Sequence, residues 1–501
     1  MGKKWIISLM SVVMLLAGLF IGTGISAGNA QESEDADATS GASEEVYEYT
    51  HPDEVAEAYD VIVIGAGGGG MAAAIAAKEA GANVAVFEMM PIAGGNTLKA
   101  SAGMNASETK FQEAEGVVDD NEKYFEETLT GGKETNDQEL LRYLVENSAS
   151  AIDWLDSMGI TLSNLTTTGG MSVQRTHRPA DGSAVGQYLV DGLLRNLGEL
   201  EIPIFVNSEV VEIIETDGHA TGVKVIVEGE EHVVQANAII LATGGFGGNL
   251  EMVTEYDAAL DGFVTTNHEG ATGNGLLMAQ ALGADLVDME QIQIHPTVQQ
   301  ETSYLITEAV RGEGGVLINQ NGERFYNELE TRDNVSAAII ALPEQSAYVV
   351  IDEALKERVT AINQYESMGF VLKGETLEEL AEQMGVPAES LQTTLDTWNE
   401  SVANGSDEAF GRTTGMEIGL LEAPYYAIKI APGIHHTMGG VKINTNGQVL
   451  REDGTVIEGL YAAGEATGGL HGQNRIGGNA VADIIIFGRQ AGTQAAELTA
   501  E

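Results

Sequence analysis

The chain contains no cysteine. That absence excludes disulfides, Cys-ligated iron–sulfur clusters, CxxCH haem attachment and a lipobox anchor, so redox chemistry here would need a bound organic cofactor and electrons from another molecule. Basic residues are scarce too: 24 Lys+Arg stand against 76 Asp+Glu, a formal charge of -52. An excess of that size repels phosphate backbones and anionic lipid, which argues against nucleic-acid partners and electrostatic docking on a membrane. It suits salty or alkaline surroundings, where ions screen the self-repulsion of a carboxylate-rich surface. The nine histidines show no metal-ligand spacing, and no internal repeat is present.

What is present is a chain of 501 residues, 43% hydrophobic, enough for a large core divided into two or more lobes. Lys3 and Lys4 precede an apolar run from Trp5 to about Gly22 and small residues ending at Ala30, the pattern of an export signal over 1–30. An uncleaved membrane anchor is the alternative, since the run approaches spanning length; either version places the folded part outside the cytoplasm. The stretch 31–60 then carries eleven carboxylates and no Lys or Arg. Such a composition cannot bury enough apolar surface to order itself, so 31–57 is expected to be a disordered acidic linker. Within it, Asp37 to Ser43 resembles the short acceptor through which flavin transferases attach FMN, at Ser43; small polar residues match that pattern by chance, and the composition favours a plain linker.

The run Tyr59-Asp-Val-Ile-Val-Ile-Gly65 is continuous and apolar, as a buried parallel strand should be. Gly65-Ala66-Gly67-Gly-Gly-Gly70 follows, then an Ala-rich helical stretch from Met71 to Ala80, then a second strand from Asn83 to Phe87 ending in Glu88. In that order the parts read as a dinucleotide fold. Gly65 permits the tight turn, Gly67 lets the backbone approach a pyrophosphate, Gly70 lets helix and strand touch, and Glu88 meets a ribose hydroxyl while repelling a 2′-phosphate.

The continuation separates FAD from NAD. Pro91-Ile-Ala-Gly94-Gly95-Asn96-Thr97 and Ser101-Ala102-Gly103-Met104-Asn105 resemble the second glycine segment of the fumarate reductase and succinate dehydrogenase flavoprotein family, its soluble flavocytochrome c branch above all. Leu241-Ala-Thr243-Gly244-Gly245-Phe246 and Gly459-Leu-Tyr-Ala-Ala-Gly464-Glu465 resemble the later segments where such flavoproteins complete the FAD site. The likeness covers about 58–497 and lacks haem and FMN domains. Quinone-linked members carry a His that bonds covalently to FAD in the second segment; no His lies between Glu88 and Lys110, so FAD is expected to be held non-covalently. Besides the residues named, the resemblance implies Val211, His436, Ala480 and Val481 on the cofactor.

The same resemblance extends to Gln293-Ile-His295-Pro-Thr297, Leu305-Ile-Thr307-Glu308-Ala-Val-Arg311, Glu330-Thr-Arg332-Asp333, His435-His436-Thr-Met-Gly-Gly440 and His471-Gly-Gln-Asn-Arg475-Ile-Gly-Gly478-Asn-Ala480. It implies that His295, Thr307 and Glu308 surround one substrate carboxylate and that His435 and Arg475 grip the other, with Gly478 supplying a backbone contact. Arg332 would donate the proton, replenished through Glu308 and Arg311. Taken singly these residues have plainer readings, as core histidines or surface ion pairs. Leu305 stands where family members often have Met, a change in pocket shape that bears on the substrate more than on the reaction.

The expected architecture is α/β: a Rossmann-like FAD-binding lobe in two parts, 58–290 and 435–501, with an inserted α+β capping (clamp) domain at 291–434. Leu377 to Met384 and Leu391 to Ala403 are predicted as its amphipathic helices, capped by Thr376 and Ser390. The resemblance implies an exported FAD-dependent fumarate reductase serving a terminal electron acceptor, fed by a separate flavin or haem carrier. Reduction of another 2-enoate (urocanate, methacrylate or cinnamate), an oxidase running the reaction backwards, and a non-enzymatic flavin electron carrier remain open.

Overall fold

The computed structural model describes residues 47–500. The export signal, the linker up to residue 46 and Ser43 lie outside the described residues. Among those described, no helix is long and apolar enough to cross a membrane.

Strand Ala58–Ile64 lies at the centre of a parallel sheet, with Val84–Phe87 on one side and Glu230–Leu241 on the other. Val84–Phe87 pairs in turn with Ile204–Phe205, and Glu230–Leu241 with Val456–Ala462. Val61, Ile62 and Val63 are fully buried, which explains why this strand reads as unbroken apolar sequence rather than alternation. The strand–helix alternation expected up to about 290 is interrupted between 208 and 241, where Ser208–Thr216, His219–Val227 and Glu230–Leu241 form an antiparallel meander. Their short connections contain Gly218 and Gly229, both in the left-handed region that tight hairpins require.

Helix Gly68–Glu79 starts at the glycine turn and buries its residues from Gly68 to Ala77. It packs on the carboxy-terminal helix Asn479–Ala500 through small residues: a Cβ on Gly488 would come within 2.6 Å of the Gly69 carbonyl oxygen, and one on Gly492 would overlap that of Ala73. The first and last α-helices among the described residues are thus locked together.

A second, antiparallel sheet is organised by the long strand Tyr425–Thr437. Its first half pairs with Ala347–Asp352 and Val371–Gly374, and its second half with Ile292–Gln299. A separate apolar cluster running from Ile306 to Ile430 surrounds it. Helix Leu377–Met384 begins as predicted, with the Thr376 hydroxyl accepting from the Glu379 amide at 3.2 Å. The next helix differs: it spans Ala388–Asn404 with Pro387 at the cap position, so Ser390 lies inside its first turn. A proline there loses no helical hydrogen bond, and Glu389 in the first turn supplies the charge that favours a helix start.

The described part of the acidic segment, 47–57, is docked. Tyr47 donates to the Ile202 carbonyl at 2.9 Å, the Tyr49 hydroxyl accepts from the Ala93 amide at 2.9 Å, and both rings pack against the main core. Two aromatic side chains supply what the carboxylates around them lack.

Candidate active site

Strand Ala58–Ile64 delivers the chain into a solvent-open cleft with about 870 Å³ of empty space, lined by Gly65, Gly67, Glu88, Asn96, Thr97, Thr243, Gly244 and Glu465, among others. Gly65 has φ 102°, and a Cβ there would lie 2.5 Å from the Ala242 carbonyl oxygen; a Cβ on Gly70 would overlap the Gly65 carbonyl. Nothing lies within 4 Å of a Cβ built on Gly67, so that backbone faces open space. Glu88 is buried at the end of its strand. Its Oε2 accepts from the Ala66 amide and its Oε1 from the Met90 amide, each at 2.8 Å, which aims the carboxylate across the cavity. Burial raises its proton affinity, and the amide hydrogen bonds oppose that shift.

These residues fit a dinucleotide flavin. The glycine-lined turn at the start of helix Gly68–Glu79 presents backbone amides to a pyrophosphate, and the spare lone pairs of Glu88 suit ribose hydroxyls. The buried Thr243 Oγ1 and His436 Nε2 have no partner among the described residues, as expected of groups that await one. The Val211 side chain is exposed while the neighbouring Val210 lines the cavity, because alternate residues of the edge strand face opposite ways. His436 stands behind the wall, with Nδ1 3.5 Å from Glu465 Oε1. Ala480 and Val481 begin the last helix, from which Ile484 reaches the cavity. Ala102 and Gly103 lie on the connection after the 3-10 turn Gly95–Lys99, where a Cβ on Gly103 would overlap the His177 carbonyl oxygen.

The remaining predicted residues converge in a second, cation-rich cluster. Glu308 is its centre: Oε2 accepts from Arg332 Nε at 3.0 Å and Nη2 at 2.9 Å, and Oε1 accepts from the Gly169 amide at 3.3 Å and lies 3.9 Å from Arg311 Nη2. Burial would raise its pKa, but Arg332 and Arg311 outweigh that and hold it at about 2. Arg332 Nη1 donates to Gln293 Oε1 at 3.1 Å, and Arg475 Nη2 donates to the same oxygen at 3.0 Å. One neutral amide therefore bridges two guanidinium groups. Arg475 is lowered to about 9, first by burial and then by the charge of Arg332.

Register explains the convergence. Strand Ile292–Gln299 runs antiparallel to the end of Tyr425–Thr437, with Gln293 opposite His436 and His295 opposite Gly433. His295 and His435 meet edge to face, with ring centroids 5.3 Å apart. Burial, followed by the neighbouring arginines, keeps both well below the usual histidine range, so both are neutral donors or acceptors at physiological pH. His295 Nδ1 accepts from the Thr297 amide at 3.2 Å, which leaves its buried Nε2 without a partner among the described residues. His435 Nδ1 lies 2.8 Å from Thr266 Oγ1. Thr307 is set by its amide, which donates to the Tyr365 hydroxyl at 3.0 Å. Gly478, at φ 86°, accepts from the Asn105 amide at 3.3 Å through its carbonyl.

Arg332 begins helix Arg332–Ile340, so a cation sits at the positive end of a helix. That placement costs stability and is tolerated here because Glu308 lies against it. Arg311 is fully buried and donates to the Glu328 carbonyl, while its Nε and Nη2 make no hydrogen bond among the described residues.

Gln293 is the functional residue that sequence reasoning passed over. It sat in the motif beside His295, two positions away in extended sequence, the spacing that puts side chains on one face of a strand. Tyr365, which positions Thr307, carried no local signal.

Glu308 makes a measurable linkage. Its folded pKa, about 2, lies below the ordinary value of 4.5, so its stabilising contribution is complete above the ordinary value and is lost as pH falls through that interval. Urea unfolding of wild type and Glu308→Gln should show a stability gap at neutral pH that narrows steadily on acidification towards about pH 2. A gap independent of pH would mean that the carboxylate titrates normally.

The glycine framework and the cation-rich cluster define an FAD-dependent oxidoreductase. Residues 60–481 match the family model described as FAD binding domain, and the chain belongs to that family. It is 53% identical over 446 residues to the NADH:fumarate oxidoreductase of Klebsiella pneumoniae, covering 89% of this chain and 48% of that protein, so it spans about half of that relative. It is 43% identical over 441 residues to a fumarate reductase (cytochrome) of Shewanella frigidimarina, covering 87% of this chain and 77% of the other. Its structure resembles the open conformation of a flavocytochrome c3 fumarate reductase, with a TM-score of 0.75 at 42% identity over 90% of this chain and 80% of that one.

Proposed function

We propose that this protein reduces fumarate to succinate with FAD held non-covalently. The observation that carries the reading is the arrangement of Arg332 and Arg475 on one Gln293 oxygen, beside two neutral histidines and an ionised Glu308. Bound FAD supplies the hydride. The chain supplies the rest. His295 and Thr307 hold one carboxylate and His435 with Arg475 the other, orienting the alkene through charge-assisted hydrogen bonds. Arg332 gives a proton to the carbon that does not receive hydride, so one hydride and one proton convert the C=C bond to CH–CH.

An arginine donor needs a strongly basic acceptor and immediate replenishment, since its reference pKa lies far above neutrality. A carbanion next to a carboxylate meets the first need. Glu308 meets the second, touching Arg332 on one oxygen and approaching Arg311 on the other. The segment 291–434 serves as the cap that excludes water while this happens. Export and a separate electron-donor protein complete the proposal, in keeping with the apolar amino-terminal run and with the absence of cysteine or a haem motif in this chain.

The test is reduction by dithionite-reduced viologen of the FAD-loaded protein offered fumarate, urocanate, methacrylate and cinnamate. Fumarate should be turned over well ahead of the rest. A stronger rate with one of the mono-acids would move the assignment to that enoate, and prompt flavin reoxidation by none of them would leave an electron carrier.

A further inference from the structure

Arg178 is buried, 8% exposed, and has no carboxylate within 4.0 Å among the described residues. In a chain with 76 acidic residues that is an anomaly. Its guanidinium is held by backbone alone: Nε donates to the Ser183 carbonyl at 3.2 Å and Nη2 to the Ser101 carbonyl at 3.3 Å. Nη1 has no hydrogen-bond partner among the described residues. A guanidinium withdrawn from water without a counter-ion is costly, and burial lowers its proton affinity, with Glu313, Tyr365 and Asp181 only partly offsetting this from a distance.

Its surroundings tie it to the substrate residues. The Ser101 carbonyl that holds Arg178 also accepts from Thr307 Oγ1, at 3.5 Å. Tyr365, whose hydroxyl fixes the Thr307 amide, is among the groups that feel the Arg178 charge. On the other flank Lys99, two residues before Ser101, donates through Nζ to the carbonyls of Thr266 and Asn267 at 3.0 and 3.2 Å. Thr266 in turn contacts His435. Lys99 also lacks a carboxylate partner within 4.0 Å among the described residues. Two cations without a carboxylate partner therefore flank the substrate residues, one joined to Thr307 through a single carbonyl and the other to His435 through a single threonine.

We propose that Arg178 and Lys99 form an outer anion relay, which draws a dicarboxylate towards the catalytic arginines and holds it on the way in. The proposal rests on the dicarboxylate reading given above. A dianion approaching a protein of net charge -52 meets repulsion over much of the surface, and a local positive potential in the cleft overcomes it within about one Debye length. Tethering both cations to carbonyl oxygens rather than carboxylates leaves their charge free for the ligand.

The experiment compares Arg178→Gln, Lys99→Gln and the charge-preserving Arg178→Lys with wild-type holoenzyme, following fumarate reduction and calorimetric binding of succinate from about 20 to about 300 mM salt. Loss of either cation should lower kcat/KM by about tenfold at low salt, far more than it lowers kcat, and should flatten the salt dependence. Succinate affinity should fall in parallel, and Arg178→Lys should recover most of it. Neutralising variants that keep the wild-type salt slope and succinate affinity would overturn the relay, as would variants that lose kcat alone. If Arg178→Gln does not fold, Lys99→Gln and Arg178→Lys decide the matter. Wild-type protein that neither reduces fumarate nor binds succinate would instead defeat the dicarboxylate reading itself.

Discussion

Arg332→Ala is expected to lower turnover of fumarate by about three orders of magnitude while FAD remains bound, the scale of effect that positioned proton donors supply. Three structural relations set that expectation. Arg332 makes two of its hydrogen bonds to Glu308 and a third to Gln293, so its removal takes away the donor, the contact through which it is reloaded and one half of the bridge to Arg475. The substitution also leaves Glu308 buried with only the longer 3.9 Å approach of Arg311 to oppose it. Breaking a buried pair from one side costs about 3–5 kcal/mol. Lost activity must therefore be separated from lost fold. The double variant Arg332→Ala, Glu308→Gln removes the stranded charge, so it should unfold at higher denaturant than the single variant while remaining equally inactive. Arg332→Lys, which keeps the charge but not the planar fork, should recover stability in part and turnover hardly at all. Rapid-quench turnover with flavin absorbance, together with urea unfolding, checks all three. Full turnover by Arg332→Ala would end its assignment as proton donor.

The second large effect concerns Arg475. Arg475→Gln should lower kcat/KM for fumarate by at least about a hundredfold, since truncating one member of a buried hydrogen-bonded charge pair costs roughly 2–5 kcal/mol. The loss should appear mainly in KM if the residue grips the ground-state carboxylate, and in kcat as well if it steadies the charge that grows on that carboxylate as hydride arrives. Its pKa gives an independent signature. Burial and then Arg332 bring Arg475 down to about 9, so its proton is lost in alkaline solution that leaves ordinary arginines charged. Wild-type KM should rise as pH passes that value, and Arg475→Gln should show no such rise. A bound dianion stabilises the protonated form, so saturating fumarate should push the transition upward. A pH-independent wild-type KM through that range would show that Arg475 keeps its proton there.

The two halves of the site were unequally legible from sequence. Gly65, Gly67 and Gly70 act through backbone geometry and Glu88 through its carboxylate, all at fixed spacing, and such requirements leave their mark in linear sequence wherever the fold occurs. The proposed substrate and proton-transfer residues His295, Glu308, Arg332, His435 and Arg475 were nameable only through resemblance, because they come from separate segments that only the tertiary fold brings together, His295 and His435 through the pairing of strand Ile292–Gln299 with the end of Tyr425–Thr437. Gln293 shows the difference plainly: a neutral amide says nothing in sequence, and becomes the joint between two guanidinium groups only after that register is set. Arg178 was invisible for the opposite reason, since an arginine among so many carboxylates reads as paired until the structure places its guanidinium against carbonyl oxygens alone. Ser390 marks where a three-residue displacement of a helix start, to the cap at Pro387, defeats inference from pattern.

The locking of helix Gly68–Glu79 against helix Asn479–Ala500 bears on how the molecule is made. The walls of the flavin cavity include residues from Gly65 near one end of the fold and Ile484 near the other. A growing polypeptide emerging from the ribosome therefore has no finished pocket to load until Ile484 has been synthesised, and cofactor capture must follow the making of that helix. Nonsense mutations at or just before Ile484 would release a chain that has lost both a wall of the flavin cavity and the helix against which Gly68–Glu79 packs.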